Sequence, residues 1–296
     1  MRLLVLGSAG QLGGDLMEAA AAAGLEARGV TRADVDVADL GALRAFLEAE
    51  RFDALVNCVA LLNTEALEGD PAPAVTVNGH APAVMAEVAA ARGARMIQVS
   101  TDYVFGGDAA RTAPLTEEDP TAPVNVYGLT KAFGETLARL SGADVSVFRV
   151  ASTFGVRGAA GKGGNFVETM IRMGREKGAL KVVADQIMSP TSTAWAAGAI
   201  LAFLDKGGPA GVYHAVNTGA VSWFDFARAI VARAGVAAEV SPCSASDWPS
   251  KARRPAFSAL DNGRLAGVIG PIPGWEAALD AYLAAKGHAA PAGSGA

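Results

Sequence analysis

Short apolar runs alternate with helix-like segments through the first half of the chain, and this alternation constrains the fold most. The predicted strands cover residues 2–7, 25–30, 54–59, 95–100 and 145–150. The predicted helices between them cover residues 12–23, 39–50, 81–92 and 127–140. Apolar strands separated by helices indicate a parallel sheet covered on both faces. The sequence therefore predicts an α/β fold with a doubly wound parallel, Rossmann-like sheet.

A glycine-rich turn follows the first predicted strand directly. Its sequence, GSAGQLG at residues 7–13, has the spacing G-x-x-G-x-x-G. Glycine permits a tight turn and close approach of the backbone to a pyrophosphate, while the next helix presents its N–H groups to the phosphates. Between a strand and a helix, this turn predicts a dinucleotide site formed by Gly7, Gly10, Gln11, Leu12 and Gly13. The alternative is a tight turn without a ligand.

The end of the second predicted strand bears on the choice of cofactor. In NAD enzymes of this fold an acidic residue there accepts from the ribose 2′-OH, but this chain has Thr31 and Arg32. A guanidinium suits a 2′-phosphate, so we expect NADPH, with Thr31, Arg32 and Asp36 at that edge of the site. Asp34 keeps NADH possible as the cofactor. The other interpretation of Arg32 is a solvated surface arginine.

The second half of the chain has a looser pattern, with predicted helices over residues 165–177, 193–204 and 222–234 and predicted strands over residues 180–184 and 212–215. We predict a dinucleotide-binding domain over residues 1–150. A smaller C-terminal substrate-binding lobe over residues 151–286 would interleave with it through crossovers. Residues 287–296 are rich in Ala, Gly and Pro and are expected to be a low-complexity tail.

Composition and charge exclude several classes of partner. The 296 residues are 51% hydrophobic and 19% charged, which permits a sizeable core. A net charge of −5 without a Lys/Arg run argues against nucleic acid. We expect a cytoplasmic protein with no membrane contact, because neither a signal peptide nor a long apolar span is visible. Cys58 and Cys243 match no disulfide framework or metal spacing, and Cys58 is expected to be a core thiol.

Tyr127 and Lys131 lie four residues apart on a predicted helix and so share one face. The pKa of a free tyrosine is about 10, and a dry pocket in which lysine and an oxidised nicotinamide present positive charge would lower it. Thr101 ends the fourth predicted strand, at the edge where such sheets bind ligands. Its hydroxyl can bind a substrate carbonyl; the alternative is a threonine satisfying local backbone. With the glycine turn, Thr101, Tyr127 and Lys131 predict a nicotinamide-dependent reductase.

Several motifs in order give the chain a specific resemblance over nearly its whole length. They are GSAGQLG (7–13), STDYVF (100–105), NVYG (125–128) with Lys131, NFV (165–167), DQ (185–186), PT (190–191), YH (213–214), SW (222–223) and Arg254-Pro255 with Ser258. On these residues the chain resembles the extended short-chain dehydrogenase/reductases, and within them the dTDP-4-dehydrorhamnose reductase family.

The resemblance implies a substrate and assigns residues to it. NADPH, or NADH, would reduce the C4 ketone of a nucleotide-linked 4-keto-6-deoxyhexose, with dTDP-4-dehydrorhamnose giving dTDP-rhamnose as the first choice. Thr101, Tyr127 and Lys131 carry over as the catalytic set. The expected substrate-binding residues are Tyr103, Asn165, Gln186 and Arg254.

Three alternatives stay open: a reductase or epimerase acting on a different nucleotide-sugar, a carbonyl reductase of small ketones, and a non-enzymatic NADP-binding regulatory subunit. Dehydratases of the superfamily have an Asp-Glu pair directly after the threonine, whereas here Asp102 is followed by a tyrosine. This difference favours a reductase over a dehydratase.

Departures from the family pattern leave the sugar open. The stretch after Arg149 lacks the usual tryptophan, Met188 replaces a common glycine, and residues 60–64 are more apolar than in relatives. Some relatives form dimers through a magnesium ion. Asp15 stands at one such position, but residues 192–194 offer no carboxylate, so we expect no metal, while a homodimer stays a hypothesis.

Overall fold

The apolar runs of the sequence form strands in the computed structural model, which describes residues 1–141, 144–157, 164–248 and 250–288. The strands are β1 (Arg2–Leu6), β2 (Glu26–Val30), β3 (Ala54–Asn57), β4 (Arg95–Thr101), β5 (Val145–Val150), β6 (Thr153–Phe154), β7 (Ala179–Val183), β8 (Ile187–Met188), β9 (Thr191–Ser192), β10 (Gly211–His214), β11 (Val221–Ser222) and β12 (Glu239–Cys243). 

The helices alternate with these strands. They are α1 (Gln11–Ala22), α2 (Leu40–Ala49), α3 (Thr64–Leu67), α4 (Ala72–Ala74), α5 (Ala81–Ala91), α6 (Val126–Leu140), α7 (Phe166–Lys177), α8 (Thr193–Asp205), α9 (Trp223–Arg233), α10 (Gly263–Ile269) and α11 (Trp275–Ala285). A π-helical turn (Val75–His80) joins α4 to α5, and a 3₁₀ turn (Asp102–Val104) follows β4.

The described residues form a central six-stranded sheet in the order β10-β5-β4-β3-β1-β2, with every pair of neighbours parallel. The chain crosses from β2 over β1 to β3, so the direction of winding reverses between β1 and β3. Open sheets of this kind bind ligands in the crevice outside the carboxyl ends of the strands at such a reversal. The glycine turn at residues 7–13 lies there.

Both faces of the central sheet are covered. Leu4 and Leu6 of β1 pack in a core shared with α2, α5 and α6. Leu3 and Val5 point the other way and pack in a second core with α1 and α8. This alternation follows from the two-residue period of a strand. The α/β, doubly wound parallel fold predicted from the sequence is confirmed.

The second half of the chain builds a core of its own. Phe154, Val167, Leu180, Phe226 and Trp275 belong to one buried cluster. The short strands pair as β7 with β12, β8 with β11 and β6 with β9. Strand β10 instead joins the central sheet beside β5. The second half therefore contributes to both parts, while the lobe boundaries stay a prediction.

Local sequence signals account for several of these elements. Asp39 caps α2, since its Oδ1 accepts from the Ala42 N–H at 2.9 Å. Trp223 packs against the core of the second half, with its ring 4.6 Å from that of Phe166. The side chain of Trp248, by contrast, is exposed. Most of the predicted tail, residues 289–296, lies outside the described residues. Nowhere in the described part is there a helix with the length and hydropathy needed to cross a membrane.

Candidate active site

The glycine turn brings β1 and α1 together at the edge of the sheet. Gly7 adopts φ = +80°, a conformation that favours glycine, and its N–H donates to the Val30 carbonyl at 2.9 Å. The Gly10 N–H in turn donates to the Gly7 carbonyl at 2.9 Å. A Cβ on Gly13 would overlap the Gly7 carbonyl oxygen. The turn therefore needs glycine for its own geometry, as well as for any ligand.

The N-terminus of α1 fits a dinucleotide. Gly10 is its N-cap, and no described side chain makes the capping hydrogen bond there. The first N–H groups of the helix are left for a ligand, and the helix dipole favours an anion. Gln11 donates to the Gly155 carbonyl at 3.3 Å, so it joins the turn to the segment after β6. Leu12 packs into the core beneath the turn.

The residues expected at the adenosine end form a small surface cluster. Thr31 donates through its N–H and hydroxyl to Asp34 at 2.7 and 2.8 Å. Arg32 is 85% exposed and lies 3.1 Å from the Asp36 carboxylate. A pair this exposed contributes little because water screens it, so the guanidinium is available to a phosphate.

Thr101 and Tyr127 meet beside the end of β4. The Asn125 side chain caps α6 by accepting from the Gly128 N–H at 2.8 Å, which begins the helix just before Tyr127. A Cβ on Gly128 would overlap the Tyr103 carbonyl oxygen, so glycine permits α6 to approach the turn after β4. The phenol of Tyr127 consequently lies near the Thr101 hydroxyl, which acts to lower the pKa of the phenol.

Lys131 lies one helical turn further along α6 and is 3% exposed. Its Nζ donates to the Val99 carbonyl at 2.7 Å. Burial lowers the pKa of Lys131 to about 8, and the Glu135 carboxylate opposes this shift. Burial also raises the pKa of the half-buried Cys58 thiol to about 12, so this neighbour is neutral at physiological pH.

Burial raises the pKa of Tyr127 above its ordinary value, and the charge of Asp102 adds to the increase, while the nearby Thr101 hydroxyl acts to lower it. The protein's own groups therefore keep the phenol protonated at neutral pH. That is the form a reductase needs before transfer. The decrease expected from the sequence would have to come from the positive charge of a bound oxidised nicotinamide.

Asp102 is a residue that reasoning from the sequence did not assign to the site. Its carboxylate accepts from the Thr101 hydroxyl at 3.1 Å and from the Ser258 hydroxyl at 2.6 Å. Burial raises the pKa of Asp102 to about 6, against these two hydrogen bonds. The only signal in the sequence was that Asp102 and Ser258 both belong to the motifs of the resemblance.

The four predicted substrate-binding residues have different surroundings. The Tyr103 ring lies 5.9 Å from the Tyr127 ring. Burial raises the pKa of Tyr103 to about 12, while the exposed Arg254 beside it acts in the opposite direction. Asn165 caps α7, and its Nδ2 donates to the Gly155 carbonyl at 2.9 Å and to the Tyr282 hydroxyl at 3.1 Å. Gln186 is half-buried just before β8.

The structure thus brings Thr101, Tyr127 and Tyr103 into contact, with Lys131 one helical turn away on α6. Arg254 is near enough to act on Tyr103 electrostatically. Asn165 and Gln11 both donate to the Gly155 carbonyl, so Asn165 lies beside the segment that contacts the start of α1. In the described part of the chain, no cluster of three or more His, Cys, Asp or Glu residues is placed to hold a metal ion.

Known proteins resemble this chain over almost its whole length. The family described as the RmlD substrate binding domain matches residues 1–287. A dTDP-4-dehydrorhamnose reductase of Mycolicibacterium smegmatis is 38% identical over 286 residues, which are 96% of this chain and 85% of that protein.

Solved structures similar to this chain belong to enzymes of the same name. A dTDP-4-dehydrorhamnose reductase from Clostridium acetobutylicum has a TM-score of 0.90 and 31% identity, covering 97% of this chain and all of that one. The enzyme of the same name from Bacillus anthracis, solved in complex with NADP, has a TM-score of 0.88 and 30% identity, covering 96% of this chain and 99% of that one. The chain therefore belongs to the RmlD substrate binding domain family.

Proposed function

We propose that this chain is an NADPH-dependent reductase of the C4 ketone of a nucleotide-linked 4-keto-6-deoxyhexose. The relatives named above are dTDP-4-dehydrorhamnose reductases, so the substrate we assign is dTDP-4-dehydrorhamnose and the product is dTDP-rhamnose. The observation that carries the proposal is the placement of Tyr127 beside Thr101, with Lys131 one helical turn away, at the sheet edge that holds the glycine turn.

In this proposal the chain's own residues bind the cofactor and transfer one proton. When bound, NADPH supplies a hydride to the ketone carbon. The N-terminus of α1 would hold the pyrophosphate, and Arg32 would pair with the 2′-phosphate. Tyr127 donates its phenol proton to the ketone oxygen, so hydride and proton together complete the alcohol. Lys131 holds a positive charge one turn away, which stabilises the phenolate that the transfer leaves behind.

The nucleotide part of the substrate needs cationic and hydrogen-bonding groups. Two phosphates carry charge that arginine binds well, and Arg254 is an exposed arginine beside Tyr103. We assign Tyr103, Asn165, Gln186 and Arg254 to this side of the site. Binding energy from the nucleotide would then orient the ketone against Tyr127.

The experiment is NADPH consumption against a panel of 4-keto sugars. We expect oxidation of NADPH with dTDP-4-dehydrorhamnose and a kcat/KM lower by orders of magnitude for the same sugar without its nucleotide. Another nucleotide-linked 4-keto sugar as the better substrate would revise the assigned sugar. Equal kcat/KM for the linked and free sugars would show that the nucleotide is not recognised.

The compartment and assembly are also proposals. Cys58 and Cys243 are free thiols, which suits the reducing cytoplasm where disulfides are rare. We propose a cytoplasmic enzyme whose residues 151–286 form the substrate lobe. A homodimer is the assembly we would test for first, by sedimentation at several protein concentrations.

A further inference from the structure

The short helix α3 contacts both sides of the proposed site through two carboxylates. Its C-cap, Glu68, accepts at Oε1 from the N–H of Val126, the first residue of α6, at 2.8 Å. Glu65 reaches the second half of the chain, where its Oε2 accepts from the Lys251 N–H at 2.9 Å and its Oε1 accepts from the Ser250 hydroxyl. Helix α3 and its cap thus hold the start of α6 and a segment that lies 186 residues further along the chain.

The segment held by Glu65, residues 250–255, buries its small residues and exposes its charge. Ala252 is 1% exposed, and Pro255 is buried against Gly106, where an added Cβ would lie 3.0 Å from the proline ring. The three cations of the segment are exposed, and none forms a salt bridge within the described part of the chain: Lys251, Arg253 and Arg254. Cations without a carboxylate partner are free to bind a phosphate, which is the role that we assign to Arg254.

Asn125 links the same segment directly to α6. It caps that helix through Oδ1, and its Nδ2 donates to the Arg253 carbonyl at 2.8 Å. Helix α3, the start of α6 and residues 250–255 are therefore joined pairwise, each to the other two. Such a closed set of hydrogen bonds resists the shift of one member alone, because the shift breaks the bonds to both others. Since Tyr127 lies at the start of α6 and Arg254 follows Arg253, the set fixes the separation between the proton donor and the cation.

Glu65 is ionised at neutral pH, beside the proposed diphosphate site. The Ser250 hydroxyl lowers the pKa of Glu65 most, and the Lys251 N–H and the charge of Arg254 act in the same direction. A carboxylate near Arg254 repels the phosphates that this arginine would bind. Its charge therefore acts against substrate binding, and its benefit lies in the two hydrogen bonds that it accepts.

We propose that Glu65 and Glu68 are positioning residues for the reduction, acting from one short helix. Glu65 holds Arg254 in the place where it meets the diphosphate. Glu68 holds the start of α6 so that Tyr127 meets the ketone. This inference rests on the proposed function and adds to it two residues that act through others. It predicts a crossed pattern, in which loss of Glu65 weakens nucleotide binding and loss of Glu68 slows the chemical step.

The first arm of the test replaces Glu65 by alanine and by glutamine. Alanine removes both hydrogen bonds to the segment, so Glu65→Ala should raise the Kd of dTDP, measured by calorimetry, about tenfold, the scale of one charge-assisted hydrogen bond. KM for the dTDP-linked sugar should rise likewise, while kcat and KM for NADPH stay within about twofold. A glutamine can accept from Lys251 and donate to Ser250, whose own proton has the Ala252 carbonyl at 2.9 Å as an acceptor. Glu65→Gln should therefore bind dTDP at least as tightly as wild type.

The second arm treats Glu68 in the same way. In Glu68→Ala the first N–H of α6 loses its acceptor and the start of the helix can shift. We expect kcat to fall about tenfold or more, because small displacements of a catalytic group cost rates of this scale. The Kd of dTDP should stay within about twofold. Glu68→Gln keeps an oxygen for the Val126 N–H and should retain most of the wild-type kcat.

Asp53→Ala is the matched control. Its exposed carboxylate also accepts from the backbone of a distant residue, the Arg2 N–H at 2.7 Å. Asp53 and Arg2 lie where β3 and β1 begin, at the edge of the sheet opposite the site. The control should keep wild-type kcat and dTDP affinity even where it loses stability.

Equal effects of Glu65→Ala and Glu68→Ala on kcat and on dTDP binding would overturn the proposal, as would wild-type behaviour of both. So would a Glu65→Gln variant that binds dTDP as weakly as Glu65→Ala. If wild type binds dTDP but does not reduce the linked sugar, the proposed function alone fails, and the dTDP affinities of the two alanine variants decide. A wild type that does not bind dTDP would reject both. Where an alanine variant does not fold, aspartate, one methylene shorter than glutamate, takes its place.

Discussion

Glu135 and Arg149 form an ion pair inside the core, with Arg149 Nη2 2.7 Å from Glu135 Oε2 and both side chains 5% exposed. Glu135 lies one turn after Lys131 on α6, and its charge raises the pKa of that lysine against the effect of burial. Arg149 Nη1 also lies 3.5 Å from His214 Nε2, whose other ring nitrogen is 2.9 Å from the Asp261 carbonyl. Helix α6 and strands β5 and β10 of the central sheet thus share one buried polar cluster.

Removing Arg149 should therefore destabilise the protein strongly. Arg149→Met leaves the Glu135 carboxylate buried without its cation, which typically costs about 3–5 kcal/mol. Denaturant unfolding measures the free energy. Arg172→Met is the control, because Arg172 pairs with Glu176 on the exposed side of α7 and such pairs contribute at most about 1 kcal/mol. Equal losses in the two variants would contradict the importance of burial.

The burial of Lys131 predicts a pH-dependent difference in stability. Its pKa falls from 10.5 to about 8 on folding, so between these values the unfolded chain binds more protons and stability rises with pH. Wild type should gain relative to Lys131→Met as the pH rises through 8 toward 10. The full effect is roughly 3 kcal/mol, since one pKa unit is worth about 1.4 kcal/mol. A constant difference between the two proteins across this range would show that the ammonium is not buried at a cost.

Arg32 should decide the preference for NADPH over NADH. Loss of a charge-assisted pair with the 2′-phosphate costs about 1.5–3 kcal/mol, so Arg32→Ala should raise KM for NADPH by about tenfold or more and leave KM for NADH unchanged. Arg44→Ala is a matched control, because Arg44 is another exposed arginine paired with a carboxylate, Glu87. Similar KM values for both cofactors in wild type would reject the assignment.

The glycine turn allows a comparison of two helical glycines. In Gly13→Ala the new Cβ would overlap the Gly7 carbonyl oxygen, so the turn must open and NADPH affinity should fall at least tenfold. In Gly198→Ala, on α8, the Cβ enters open space, and the variant should gain up to about 1 kcal/mol from helix propensity. Calorimetric binding and thermal unfolding measure the two effects. Normal NADPH binding by Gly13→Ala would mean that the turn is not the pyrophosphate site.

The sequence predicted what depends on local patterns. Apolar periodicity located the strands of the central sheet, and the spacing of Tyr127 and Lys131 placed both on α6. Long-range contacts had no such signal. Asp102 and Ser258 are 156 residues apart, so neither spacing nor residue type could show that their side chains meet. The hydrogen bonds of Asn165 to Gly155 and Tyr282 were equally hidden. Helix α11 was missed although Leu279 and Leu283 are buried four residues apart in the core of the second half.

The central claim is that the chain moves a hydride to C4 of the dTDP-linked sugar while Tyr127 delivers the proton. The most direct measurement supplies NADPH deuterated at the transferred position and follows the label in the sugar by mass spectrometry and NMR. We expect deuterium at C4 with wild type. Tyr127→Phe should give the same label about 10²–10⁴-fold more slowly, while the core variant Tyr213→Phe keeps the wild-type rate. A sugar recovered without deuterium, or full turnover by Tyr127→Phe, would contradict the account.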